Sequence, residues 1–187
     1  LKLKDIGEFA LIDRIAKNVK ARGSRVKVGI GDDAAVIKAS RNALTVLTID
    51  TLIEGVHFDL SYFSFFELGW KSLAVNLSDI AAMGAVPTEA IISLGLPKSV
   101  KVENVEELYK GIKKLAKKYK LNIVGGDIVS SPKRVVISIS VMGEVKKKEL
   151  LLRSGARVGD VVLVTGDLGG SALGLELLRK KLKRIKE

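Results

Sequence analysis

Five aspartates stand where apolar segments of this chain close. Asp32-Asp33 follow Val28-Gly29-Ile30-Gly31, Asp50 follows Leu44–Ile49, Asp79 interrupts an apolar helical stretch, and Asp127 follows Ile123-Val124-Gly125-Gly126. Carboxylates are rarely buried unless paired or bound to metal. Several acids ending separate core elements, in a protein of formal net charge +11, therefore point to a shared cation. With no cysteine and a single histidine, His57, the donors are hard oxygens, which suit Mg²⁺ better than zinc. Mg²⁺ commonly arrives with phosphates.

The phosphate-binding signatures read differently. Gly29-Ile30-Gly31-Asp32-Asp33-Ala34 fits a dinucleotide fingerprint only as a string. That motif opens a helix, whereas Ala35-Val36-Ile37 reads as strand and two carboxylates sit where a phosphate would approach. There is no Walker-type lysine loop. Gly125-Gly126 would let backbone come close to a phosphate, or simply make a tight turn at a strand end. Arg153 and Arg157 flank Ser154-Gly155, where a guanidinium could clamp a phosphate.

Composition sets the frame for these residues. The 187 residues, 47% of them hydrophobic, suit one sizeable domain or one domain plus part of another. No apolar run is long enough for a membrane span and no signal-peptide core precedes the first helix. With no cysteines, this reads as a cytoplasmic protein. Scarce Cys, Met and His beside abundant Lys and Ile hint at a thermophile. Lysines cluster at Lys113–Lys120, Lys146–Lys148 and Arg179–Lys186. No aromatics interleave them, so they read as solvated faces, and nucleic acid is not the expected partner.

Hydrophobic periodicity predicts the elements. Residues 5–19 form a helix with capping-box spacing at Asp5 and Glu8, and 26–30 and 34–37 form strand pieces around the Gly31-Asp32-Asp33 turn. Leu44–Asp50 is a strand on which Thr48 and Asp50 share a face. A helix over 65–83 carries a polar stripe of Ser72, Asn76, Asp79 and Met83, ended by Gly84. Thr88–Leu96 is a strand, Asn104–Tyr119 a helix capped by Asn104 and Glu107, and Asn122–Gly125 and Arg134–Gly143 are strands. Val161–Thr165 reads as a strand and 171–186 as a basic helix. The fold class is mixed α and β: residues 1–148 make an N-terminal domain, and 149–187 begin a second α/β domain that stops early.

The same residues carry a resemblance. Gly31-Asp32-Asp33-Ala34-Ala35-Val36, Asp50 through Phe58 (Asp-Thr-Leu-Ile-Glu-Gly-Val-His-Phe), Gly69 through Ala85 with Pro87, Gly125-Gly126-Asp127 and Arg153 through Arg157 with Gly159-Asp160 occur in order over essentially the whole chain. This pattern resembles the thiamine-monophosphate kinase family, whose superfamily includes aminoimidazole ribonucleotide synthetase, selenophosphate synthetase and a hydrogenase-maturation enzyme. The resemblance implies an ATP-dependent kinase that phosphorylates thiamine monophosphate to thiamine diphosphate by direct in-line transfer. It implies several Mg²⁺ ions on Asp33, Asp50, Asp79 and Asp127, with Thr48 and Ile49 at neighbouring ligand positions. Ile49 replaces a commonly hydroxylated residue, so only its backbone could serve. Tyr109, Gly125, Gly126 and Arg153 match positions associated with ATP, and His57 one associated with thiamine monophosphate. No residue is assigned to catalysis beyond these metal and phosphate ligands, and Asp32 has no assigned role.

The resemblance further implies a homodimer whose N-terminal domains pool strands into a shared β-barrel. Family members carry roughly another hundred residues, of the size that completes a second domain, so the activity of this chain alone is left open. Two other readings are a sibling ATP-dependent synthetase or maturation enzyme, and a basic binding module without catalysis.

Overall fold

The computed structural model describes residues 3–19, 26–28, 36–37, 44–152 and 155–180. Its contacts divide into two units, Leu1–Leu152 and Arg153–Glu187.

In the first unit, helix α1 (Leu3–Asn18) is broken at Gly7, whose φ of 72° takes it out of helical geometry. Asp5, expected as the cap, therefore lies inside the helical span. A two-stranded antiparallel ladder joins β1 (Val26–Val28) to β2 (Val36–Ile37). The main sheet contains β3 (Leu44–Ile53), β4 (Val86–Leu96), β5 (Asn122–Ser130) and β6 (Val136–Val145), in the order β3-β6-β4-β5. β6 is antiparallel to both neighbours, while β4 and β5 are parallel and are joined through helix α3 (Val102–Lys118), the crossover that parallel pairing requires.

Three expected boundaries move. Asp50 does not end β3, which runs on to Ile53, and Gly125-Gly126-Asp127 is strand rather than turn, because β4 pairs with it throughout. Helix α3 begins at Val102 with Lys101 as a cap that makes no side-chain bond, so Asn104 and Glu107 lie within the helix. Backbone pairing and burial of Val102 and Val105 outweigh the local preference of asparagine for a cap.

Helix α2 (Phe65–Ala82) forms as its sequence suggests. Ser64 caps it through a reciprocal capping box with Glu67. Its C-terminus closes by the Gly84 N–H on Ala81 O (2.9 Å) and the Ala85 N–H on Ile80 O (3.0 Å), with Gly84 at φ 68°, which is the Schellman arrangement. The helix lies on one face of the sheet, where Leu52, Ile92, Leu94, Ile137, Ile139 and Val141 are buried.

On its other flank α2 meets α3 at an approach that only glycine permits. A Cβ on Gly69 would stand 1.9 Å from Leu108 O, and one on Gly111 would stand 2.0 Å from Phe66 O. The two contacts are reciprocal: each glycine faces the carbonyl of the residue three before the other. Ion pairing of Arg14 with Glu106 ties α1 to α3.

The second unit is different. Helix α4 (Gly170–Arg179) buries no residue, and the expected strand Val161–Thr165 pairs with nothing among the described residues, its valines lying exposed. A strand and a helix cannot by themselves cover a core.

The glycine contact generates a prediction. Gly111→Ala forces the helices apart or strains them, and should cost about 2 to 3 kcal/mol in urea unfolding despite alanine's better helix propensity.

Candidate functional site

β3 and α2 build the site together. Side chains alternate along β3: Leu52 is buried and Val46, Thr48 and Asp50 are half-buried beneath α2, whereas Leu47, Ile49 and Thr51 are exposed on the other face. The Thr48 hydroxyl donates to Asp79 Oδ2 at 2.8 Å, so strand and helix meet at a hydroxyl–carboxylate pair. Asp50, two residues on, shares the face of Thr48. Ser72 and Asn76, two turns and one turn before Asp79 on α2, are buried and bonded back into the helix: Ser72 Oγ donates to Leu68 O at 2.7 Å and Asn76 Nδ2 to Ser72 O at 3.1 Å. The polar stripe read from the sequence is thus two-part, structural at Ser72 and open to a ligand at Asp79.

A hydroxyl and two carboxylates are hard oxygen donors, and Mg²⁺ takes one or two carboxylates and fills its octahedron with water and phosphate. The donor set of Thr48, Asp50 and Asp79 fits that ion and does not suit zinc. Among the described residues no three His, Asp or Glu gather closely enough to hold a metal ion by themselves. Asp33, with Asp32, lies outside the described residues, as does Arg153.

Asp127 is not brought to this group within the chain. The register runs Asp50–Ile139–Ile92–Gly126 in one row and Thr51–Ser138–Ser93–Asp127 in the next. Asp127 is therefore on the face opposite Asp50, at the far edge of the sheet, three strand spacings or about 14 Å away. The sequence put all four acids at one place because it shows spacing along the chain and not strand order.

Gly125 and Gly126 differ as well. A Cβ on Gly126 would fall 2.0 Å from Ile92 O, while one on Gly125 meets only Ile91 Cγ2 at 3.8 Å, so packing alone requires glycine at 126. Tyr109 is buried in the core on α3, and that burial pushes its phenol well above its ordinary pKa. Ile49 is 64% exposed on the open face, opposite Ser140.

His57 sits in a loop held from three sides. Its Nδ1 accepts from the Ile53 N–H at 3.1 Å, so in the neutral ring the proton is on Nε2, available to donate to an anion. The Gly55 N–H closes on Phe58 O at 2.7 Å, with Gly55 at φ 75°. Lys71 Nζ donates to His57 O at 2.6 Å and lies 5.1 Å from the Phe63 ring centre; burial lowers the pKa of its ammonium. From the β5–β6 turn, Arg134 Nη1 donates to Glu54 O at 2.8 Å, and the Val135 N–H donates to Glu54 Oε2 at 2.9 Å. In the next turn the Ser61 N–H on Asp59 Oδ1 (2.7 Å) holds that carboxyl below its usual range. Sequence reasoning assigned no role to Glu54, Lys71 and Arg134. Each acts through a backbone carbonyl or N–H across long sequence separations, for which no spacing rule exists.

The sequence profile of the AIR synthase related protein, N-terminal domain, matches residues 31–145. Among curated relatives, the thiamine-monophosphate kinase of Bacillus subtilis is 43% identical over 171 residues, covering 91% of this chain and 52% of its own length. That of Aquifex aeolicus is 44% identical over 178 residues, covering 95% and 55%. The chain spans about half the length of the curated relatives it matches. Among solved structures, the thiamine-monophosphate kinase of Stenotrophomonas maltophilia superposes with a TM-score of 0.80 at 39% identity, over 94% of this chain and 54% of that one. The complex of AaThiL with AMPPCP and TMP gives 0.73 at 39%, over 100% and 57%. A hydrogenase maturation protein, at 21% identity and a TM-score of 0.70, shares the fold. Fold, spacing and profile agree: the chain belongs to the AIR synthase related protein family, with thiamine-monophosphate kinases as its relatives at about 40% identity.

Proposed function

We propose that this protein works as a thiamine-monophosphate kinase, a phosphotransferase moving the γ-phosphoryl group of ATP to thiamine monophosphate to give thiamine diphosphate. The observation that carries the reading is the Thr48–Asp79 pair beside Asp50, in a chain 39% identical to a kinase captured with AMPPCP and TMP. Residues 1–148 would form the ATP- and Mg²⁺-handling domain and 149–187 the beginning of the next. No helix among the described residues is long and apolar enough to cross a membrane.

Asp50 and Asp79 would hold Mg²⁺ with the Thr48 hydroxyl, joined by Asp33 and the Ile49 backbone. When bound, Mg²⁺ supplies charge neutralisation between two polyanions that otherwise repel. The acceptor needs little help from a base, since a phosphate monoester has a second pKa of about 6 and is already an anionic nucleophile at neutral pH. Its oxygen forms the new bond to the γ-phosphorus as the bond to the bridging oxygen breaks and ADP departs. His57, with Nδ1 occupied, donates from Nε2 to the thiamine monophosphate phosphate and orients it. Gly125, Gly126 and Arg153 belong to the ATP side; Tyr109, matched to that side by the resemblance, is buried in the core on α3.

A homodimer reconciles Asp127 with this scheme. The open sheet face exposes Leu47, Ile49, Ile91 and Val129, each 47% exposed or more, an apolar patch of the kind that marks an interface. Closing two such sheets edge to edge into a barrel would cover it and set the β5 edge of one copy, with Asp127 and Gly125-Gly126, beside the β3 edge of the other.

Calorimetric titration with AMPPCP tests the reading: binding should appear only with Mg²⁺, and Mg²⁺-independent binding would count against it. Asp79→Asn should weaken that binding by about tenfold or more, a loss of about 1.4 kcal/mol at least, with the fold intact by circular dichroism. His57→Ala should weaken thiamine monophosphate by about tenfold and AMPPCP hardly at all; equal losses would remove His57 from the acceptor site. Lys71→Ala should leave the core standing but raise hydrogen exchange at the Gly55 and His57 amides by about fivefold, because it removes an anchor worth about 1 kcal/mol.

A further inference from the structure

Among the described residues, the side-chain oxygen of Asn76 is buried with nothing to bond. Asn76 is 0% exposed, and its Oδ1 has no hydrogen-bond partner. The amide cannot be turned round to relieve this, because Nδ2 faces the Ser72 carbonyl at 3.1 Å and a carbonyl only accepts. A buried acceptor left without a donor is destabilising by the cost of its desolvation, and an apolar side chain of the same size would remove that cost. Such a group calls for a specific explanation.

Its place in the fold supplies one. Lys71, near the start of α2, reaches His57 just beyond the end of β3, while Asp79, near the end of α2, reaches Thr48 in the middle of the strand. Helix and strand therefore run in opposite directions. Moving from Thr48 to Asp50 along β3 advances about 6.7 Å, which is about four to five residues of helix. Counted back from Asp79, that brings the level of Asp50 to Ala74–Val75, so that Asn76, the buried residue beside them, lies between the levels of the two acids. The residue that carries the open acceptor stands between the levels of the two acids, about one turn from Asp79.

We infer that Asn76 Oδ1 is a further oxygen of the cation site, accepting from the Mg²⁺ hydration shell between Asp50 and Asp79. Mg²⁺ sheds its waters reluctantly, so a neutral amide oxygen behind two carboxylates orients a bound water without adding charge. This rests on the reading of Asp50 and Asp79 as Mg²⁺ ligands, and it explains why a position with an evident apolar alternative holds asparagine.

The test compares the wild-type chain with Asn76→Leu, Asn76→Asp and Asp79→Asn. Thermal midpoints are read with and without Mg²⁺ alone, and AMPPCP affinity is read by calorimetry with and without Mg²⁺. Asn76→Leu should melt at or above the wild-type temperature without Mg²⁺, yet lose about tenfold or more in Mg²⁺-dependent AMPPCP affinity, the usual scale for groups that orient metal ligands. Asn76→Asp should melt lower without the ion, because a third carboxylate is buried, and recover when Mg²⁺ is added. Wild-type Mg²⁺ dependence in Asn76→Leu, or an Asn76→Asp midpoint that Mg²⁺ does not restore, overturns the proposal. If Asn76→Leu does not fold, the Mg²⁺ recovery of Asn76→Asp decides alone. If Asp79→Asn abolishes Mg²⁺-dependent binding while Asn76→Leu does not, only the role of Asn76 falls. If Asp79→Asn also binds as wild type does, the cation site itself falls.

Discussion

The reciprocal backbone contact between α2 and α3 fixes the helix on which the candidate site depends. Gly69 against Leu108 O and Gly111 against Phe66 O bring two helices together at a separation that no side chain tolerates, and packed interiors transmit such constraints with little give. Helix α2 is pressed onto the sheet on one side and onto α3 on the other, so it has little freedom to roll or slide. That matters because α2 carries Lys71, Asn76 and Asp79 in turn. One rigid element thus supplies the anchor of the His57 loop, the buried amide and the carboxylate that meets Thr48. A glycine in mid-helix costs about 1 kcal/mol relative to alanine; here the cost is offset by the burial of Leu68, Leu73, Leu108 and Ile112.

Much of this was legible in the residues. The apolar alternation of β3 correctly put Thr48 and Asp50 on one face, and Gly84 marked the C-terminal end of α2, although the Ser64–Glu67 capping box at its start was not read. These are local features, set by periods of two and 3.6 residues and by cap chemistry. What was not legible is non-local. The extension of β5 through Gly125-Gly126-Asp127 is imposed by pairing with β4, against the turn preference of a glycine pair. The start of α3 at Val102 is imposed by core burial, against the cap preference of Asn104. Strand order, which separates Asp50 from Asp127, leaves no trace in a single strand's pattern. Lys71 and Arg134 act on carbonyls 14 and 80 residues away, and chain spacing does not encode such partners.

The opposed faces of Asp50 and Asp127 constrain any account of the chemistry more than the identity of either residue does. A strand's side chains alternate strictly, so a one-residue offset in register moves a carboxylate from one face of the sheet to the other. Here the ladder pairs Asp50 with the row that ends at Gly126, not Asp127. No side-chain rotation undoes that, since it would have to pass through the sheet. Either Asp127 serves a different centre from Asp50, or its partners come from a second molecule whose sheet presents the complementary edge. The exposed apolar side chains on the Asp127 face favour the second alternative, because burying them stabilises association and orients the acid at the same time. On that argument the proposed barrel would not be an accessory to the site. One contact surface would supply both the burial that joins two copies and the geometry that completes the ligand set.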